Sequence, residues 1–247
     1  MTTAFYIQKG GVGKTTLSGT TAHIISKREK TVLIDADPQG NASSWLLTEP
    51  PAYELADLLQ DKISLDNALI EISENFYIIP TFGIGGELKQ YGETRLHDEP
   101  FIFQELVSLL KGHGFKTIIF DLSPGLSRLE KSVLLAVDEV VTPMIPESFA
   151  VDGIQIFDAE LKKLNKSFRV NIRHSKIVCN NFNQTMSIHK KYREDLQSLE
   201  NYRLYEVPQD SKFKTAQDDN KTLLEFDLTA RALPELYRLS EDLINGI

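Results

Sequence analysis

Close to its start the chain reads "KGGVGKTT" over residues 9–16, between an apolar stretch and a segment of helical periodicity. The usual phosphate loop, G-x-x-x-x-G-K-[ST], joins a strand to a helix. Its backbone N–H groups cradle phosphate oxygens, its lysine neutralises charge and its hydroxyl ligates magnesium. Here Gly13, Lys14 and Thr15 fill the second half of that pattern, while Gln8 stands where the first glycine belongs. What replaces it is a second lysine, Lys9, followed by Gly10, Gly11 and Val12, and the loop closes with Thr16. Ala4–Ile7 reads as a short buried strand, and Leu17, Thr21, Ile24 and Ile25 recur at helical spacing. The loop therefore sits at a helix N-terminus, where unpaired N–H groups and the helix dipole favour an anion. Set against the plainer reading of a glycine-rich turn, the pattern identifies residues 9–16 as a nucleotide site.

The rest of the chain repeats the strand-then-helix alternation. Apolar strands are expected at Thr31–Ala36, Phe76–Pro80, Thr117–Asp121, Glu139–Met144, Lys176–Cys179 and Arg203–Val207. Helices are expected at 53–60, 65–70, 101–111, 132–137, 187–200 and 229–244, and on a face marked by Ala150, Ile154, Phe157, Leu161 and Leu164. Such alternation implies an α/β fold, a mainly parallel twisted sheet with helices on both faces. No repeat, low-complexity tract or linker divides residues 1–247, so one domain is expected. The 41% hydrophobic content is enough for a two-sided core. A single cysteine, Cys179, excludes a disulfide framework and a cysteine-ligated metal within one chain. No signal peptide precedes the first strand, and no apolar run approaches the roughly 20 residues that span a bilayer. The cytoplasm is the expected compartment.

In sheets of this kind ligands lie at the carboxyl ends of the strands. Two strands deliver acids there: "VLIDADPQGN" ends in Asp35 and Asp37, and "TIIFDLSPG" in Asp121. Magnesium keeps several waters and takes one or two carboxylates besides phosphate oxygens. Thr15, Asp35 and Asp121 are the expected metal residues. Asp37, where the loop begins, is placed to reach the terminal phosphate and position water. The plainer role for each acid is a turn or helix cap.

Taken together the sequence resembles the ParA/MinD family of deviant Walker ATPases, and most closely its ParA branch. The resemblance runs through 9–16, "DADPQGNAS" at 35–43, the stretch 121–154 and "VPQDSKFKTAQDDNKTLLEFD" at 207–227. It implies ATP and Mg2+ as cofactors, and Lys9, Lys14 and Asp37 as catalytic residues. Lys9 is implied to be the signature lysine that reaches the partner's phosphates in an ATP-bound homodimer. Pro208 and Asp210 match the segment lining adenine, and Asn180 is a further candidate contact to the base. The family usually has two prolines soon after the strand-end aspartate; this chain has Ser123-Pro124-Gly125. No DNA-reading domain precedes the loop, so operator-specific repression is not expected, and segment 81–99, with Gly83, Gly85, Gly86 and Gly92, is assigned no role.

The net charge of −8 conceals an asymmetry. Residues 160–238 hold 15 Lys+Arg against 11 Asp+Glu, a surplus of +4, and the remainder holds 12 against 24, or −12. Nonspecific DNA affinity comes almost entirely from phosphate neutralisation. Lys190, Lys191 and Arg193 in "IHKKYRED" and Lys212 and Lys214 in "SKFKT" are the candidate contacts, the plainer reading being a solvated basic face. Lys212 stands about where the family carries a basic DNA-contacting residue. The expected activity is a slow ATP hydrolysis, stimulated by a ParB-like centromere-binding or adaptor protein. The ATP-bound dimer would associate with the nucleoid and segregate plasmid or chromosomal DNA, or position another cargo. A membrane-surface role of the MinD kind would need a basic amphipathic C-terminal helix, and this tail carries Glu235, Glu241 and Asp242. An electron-transfer relative of the nitrogenase iron protein would need two cluster thiolates per subunit. One cysteine does not supply them.

Overall fold

A computed structural model describes residues 1–147, 150–199 and 201–247; residues 148–149 of the long family stretch and residue 200 of an expected helix lie outside them. In chain order the elements are β1 (Thr2–Phe5), α1 (Lys14–Ser26), β2 (Thr31–Ala36), α2 (Asn41–Leu46), α3 (Leu55–Leu59) and α4 (Leu65–Ala68). Then come β3 (Ile70–Ser73), β4 (Phe76–Ile79), α5 (Leu88–Thr94), α6 (Ile102–Gly112), β5 (Thr117–Leu122), α7 (Arg128–Leu135) and β6 (Glu139–Met144). The remainder is α8 (Ala150–Phe168), β7 (Arg173–Phe182), α9 (Ser187–Gln197), β8 (Arg203–Pro208), α10 (Lys212–Asp218), α11 (Leu223–Phe226) and α12 (Leu233–Asn245).

The strands form one sheet in the order β3-β4-β2-β5-β1-β6-β7-β8. Every pair is parallel except the edge hairpin β3–β4. Because side chains alternate across a strand, continuous apolar strands feed two cores at once. Ala4, Val32, Ile34, Ile118 and Phe120 pack on one face with helices α3 to α8. Phe5, Leu33, Ile78, Ile119 and Val141 pack on the other with α1, α2, α11 and α12. A third, smaller cluster joins Met144, Ile154, Cys179 and Leu196 under α9.

The strands at 31–36 and 139–144 fall where the sequence places them. The first strand is Thr2–Phe5, two residues earlier than expected, because Tyr6 and Ile7 already begin the loop. The helix expected at 65–70 stops at Ala68, and Ile70 opens β3. Helices α2, α5, α10 and α11 have no counterpart in the sequence reading. The apolar stripe of α12 is consumed by packing: Leu233, Leu236, Leu239 and Leu243 are buried with α1. The leucines that a membrane-surface helix would insert are thus already used inside the fold, with Tyr237 of the same helix left exposed. Among the described residues no helix is long and apolar enough to cross a membrane.

One polar contact in the second core is sensitive to pH. His23 on α1 is buried, its Nδ1 2.6 Å from Thr222 Oγ1 and its Nε2 3.2 Å from Ser73 Oγ. Its ring stacks on Phe76 at 5.2 Å. Burial, with a smaller push from Lys27, lowers its pKa from 6.5 to about 4. Between those values the unfolded chain binds the proton and the folded chain does not, so stability falls as pH drops from about 6.5 towards 4. At pH 5 the loss attributable to His23 is about 2 kcal/mol. Denaturant unfolding of the wild type and His23→Gln at pH 7.5 and 5 checks it. The wild type should lose about 2 kcal/mol relative to the variant on acidification, and a pH-independent difference would contradict the assignment.

Candidate nucleotide site

All the parallel strands end on the same edge of the sheet, and the expected site residues collect there. The loop leaves β1 between β5 and β6 at the centre of the sheet. It turns tightly, Lys9 N donating to Ile7 O at 2.7 Å, and enters α1 through Gly13, whose φ is +92°. A side chain at Gly13 would be strained by that φ. Its Cβ would also collide with Asn180 Nδ2, so glycine is required on two counts. Asn180, at the end of β7, donates through Nδ2 to Val12 O at 3.0 Å. Its contact in this structure is thus with the phosphate loop itself.

Lys14 is buried at the first turn of α1, its Nζ donating to Lys9 O at 2.7 Å. Burial lowers its pKa, against the opposing pull of Asp121 and Asp37. Lys9 points the other way and forms an ion pair with Glu147, just beyond β6. The two lysines, five residues apart, therefore have different surroundings: one is enclosed by acids, the other lies at the surface.

The acids divide similarly. Asp35 and Asp121 are register partners on the adjacent strands β2 and β5, and both are wholly buried. Asp35 Oδ2 accepts from Ser43 N at 2.8 Å and Ser43 Oγ at 2.6 Å, and its Oδ1 accepts from Asp37 N at 3.3 Å. Burial still raises its pKa to about 7, those hydrogen bonds opposing and the Asp37 charge adding to the rise. Neither oxygen of Asp121 receives a hydrogen bond. Burial and then the charge of Asp35 push its pKa up to about 8, with the nearby Thr15 hydroxyl and Lys14 pulling back. Asp35 is thus a satisfied carboxylate organising the start of α2, and Asp121 is a bare one beside the phosphate loop.

Asp37 opens the turn that closes through Gly40 N to Asp37 O at 2.9 Å, and its Oδ1 accepts from Gln39 N at 2.9 Å. Burial raises its pKa, with Glu130 adding to the rise and Lys14 opposing it. It lines a cavity of about 690 Å³ with the loop 123–130 and with Lys89, Gly92 and Glu93 of α5. That loop is fastened by Tyr6 Oη to Gly125 O at 2.5 Å, and by Glu130, which accepts from Ser123 Oγ at 2.5 Å and Ser127 N at 2.6 Å. The Ser127–Glu130 pair is a capping box, legible in the spacing S-x-x-E. Tyr6, Ser43 and Glu147 carry no comparable sequence signal, because their partners lie distant in the chain.

On the other side of the phosphate loop, Pro208 and Asp210 line a second cavity of about 670 Å³ with Asn181–Thr185 and Arg231. Asp210 shapes its rim, accepting from Lys212 N and Arg231 N, both at 3.0 Å. The expected basic contacts separate into two sets. Lys190 and Lys191 on α9 and Lys214 on α10 are exposed. Lys212 is ion-paired with Asp227 at 2.6 Å and Arg193 with Glu206 at 3.7 Å.

Comparison with known proteins agrees with this fold. The family described as AAA domain matches residues 1–174. An uncharacterized protein of Borreliella burgdorferi, BBD21, is 38% identical over 242 residues, covering 97% of this chain and 98% of that protein. The chromosome-partitioning ATPase Soj of Thermus thermophilus is 25% identical over 244 residues, covering 96% and 92%. Among solved structures, a plasmid partition protein from Borrelia burgdorferi bound to AMPPNP superposes with a TM-score of 0.84 at 22% identity, over 100% and 99% of the two chains. The cell division ATPase MinD of Pyrococcus furiosus gives a TM-score of 0.81 at 20% identity, over 100% and 99%. The chain belongs to the ParA/MinD family of P-loop ATPases.

Proposed function

We propose that this chain is a partition ATPase that binds Mg-ATP at residues 9–16, pairs face to face with a second copy, and carries DNA with the help of a ParB-like partner. The observation that carries the reading is Asp121. It is a buried carboxylate with both oxygens unpaired, beside Thr15 and Lys14 at the mouth of a glycine loop. Such a group is costly unless a cation or its water completes it, and a hydroxyl plus a carboxylate suits magnesium. Magnesium there would neutralise charge on the transferring phosphoryl group. In this reading Thr15 and Asp121 would hold the ion or its water, and Asp35 acts beside them by fixing Ser43 and the Asp37 loop. Lys14 neutralises the bound phosphates, Asp37 positions water, and Pro208 and Asp210 border the base. Lys9 leaves Glu147 and crosses to the partner's phosphates, so dimerisation depends on nucleotide. Lys190, Lys191 and Lys214 supply the DNA contacts, while Lys212 and Arg193 contribute once released from Asp227 and Glu206.

Three outcomes test this. Replacing Asp121 with Asn removes a carboxyl group whose ionisation burial opposes in the folded chain but not in the unfolded one, so the nucleotide-free protein should gain roughly 1–3 kcal/mol. That would be read as an unfolding midpoint several degrees higher, while magnesium ceases to tighten ATP binding. An unchanged midpoint with intact magnesium dependence would argue against the metal role. Lys9→Ala should bind ATP yet remain monomeric by light scattering, whereas Asp37→Ala should dimerise with ATP and lose turnover. Dimers persisting without Lys9, or normal turnover without Asp37, would reassign those residues. DNA binding should require ATP and ignore sequence. Each lost phosphate contact should flatten the slope of log affinity against log salt by roughly 0.9. The triple variant Lys190→Ala, Lys191→Ala, Lys214→Ala should therefore show a markedly shallower slope, and an unaltered one would place the DNA elsewhere.

A further inference from the structure

A contact spanning almost the whole chain reaches the phosphate loop from α10. Gln217 Nε2 donates to Thr16 Oγ1 at 2.8 Å, across 201 residues of sequence. The segment that follows Gln217 is held along α1 by two more contacts. Trp45 Nε1, its ring over Gly19, donates to Lys221 O at 2.9 Å, and Thr222 Oγ1 meets His23 Nδ1 at 2.6 Å. Residues 217–222 thus lie against α1 from its first turn to its third, and Gln217 has little freedom to leave Thr16.

A hydroxyl has one proton to donate and two lone pairs to accept with. The Gln217 amide occupies a lone pair of Thr16, and among the described residues no protein group accepts the Thr16 proton. Thr16 lies in the first turn of α1, where the backbone N–H groups also lack helical partners and face the loop. An acceptor arriving at that helix end would find the proton already turned towards it.

We infer that Gln217 is a positioning residue for the nucleotide: it fixes the rotor of the Thr16 hydroxyl so that its proton is presented to a phosphate oxygen. This rests on the nucleotide reading above and adds a residue that lies outside the loop motif. Donor and acceptor at position 217 should then have opposite effects. Gln217→Glu keeps the shape but would capture the Thr16 proton and bring negative charge towards the phosphates, whereas Gln217→Ala merely frees the rotor.

The test is calorimetric titration of Mg-ATP into the wild type, Gln217→Ala, Gln217→Glu, Thr16→Val and the Thr16→Val/Gln217→Ala double variant, with Lys14→Ala as the non-binding control. Gln217→Ala should weaken binding about 2- to 10-fold, the range of one neutral hydrogen bond. Gln217→Glu should weaken it further, and Gln217→Ala should cost nothing more once Thr16 is Val. Unchanged unfolding midpoints of the nucleotide-free variants would confirm that the fold is intact. A Glu variant binding as well as wild type, or an Ala loss that persists without the Thr16 hydroxyl, would overturn the inference while leaving the nucleotide reading in place. Failure of the wild type itself to bind would remove both.

Discussion

Two carboxylates lie side by side in register inside this protein, Asp35 on β2 and Asp121 on β5, both wholly buried. Burial strips both of hydration and raises their pKa values to about 7 and about 8, the charge of Asp37 adding to the rise at Asp35 and that of Asp35 to the rise at Asp121. The fold resolves the conflict unequally. Asp35 is supplied with three hydrogen bonds from Ser43 and Asp37, while Asp121 receives none and has only the nearby Thr15 hydroxyl and Lys14 to favour its charge. Perturbed groups of this kind cluster where a site must bind or react. Here the perturbation sits at the central strands, directly beside the glycine loop.

The loops around the pair are built to hold that arrangement. Ser43 Oγ donates to Asp35 and accepts from Thr81 N at 2.8 Å, and Thr81 Oγ1 returns a hydrogen bond to Asp35 O at 2.6 Å. The loop after β4 is thereby fastened to the loop carrying Asp37. They approach so closely at Gly40 that a Cβ there would lie 2.6 Å from Thr81 O. Glu54, itself buried, accepts from Phe82 N at 3.0 Å and Glu87 N at 2.5 Å and pins the far side of the same loop. A shift of Asp37 would disturb residues 81–87, so the placement of Asp37 is shared among three segments rather than set by its own turn.

Much of this was legible in the residues. The glycine loop, the strand-end acids and the two-sided strands follow from local pattern, since each depends on a periodicity of two or on a turn that only glycine makes. What escaped depends on contacts made at a distance. Helix α2 follows Pro38 and Gly40 and reads as irregular, yet Asp35 accepts the Ser43 amide in its first turn. Helix α5 lies in a glycine-rich run because Gly92 packs against Leu129, where a side chain would sit 3.2 Å from Leu129 Cβ. Strand β3 has only four residues on a sheet edge, too few for its alternation to stand out. Asn180 donates to Val12 O, a contact across 168 positions that its neighbours in sequence do not announce. Nor does the sequence around Lys212, a candidate DNA contact, announce its ion pair with Asp227. Neither Glu147 nor Gln217 has any local signature, because their partners are 138 and 201 positions away.

The central claim is that Asp121 and the loop 9–16 form one incomplete site for a magnesium-bound nucleotide. The most direct measurement is calorimetric titration of the wild-type chain with ATP, once with magnesium and once with a chelator present. The account predicts one ATP bound per chain, with affinity that falls sharply when magnesium is withdrawn. Binding of equal strength in both titrations, or no binding in either, would contradict it.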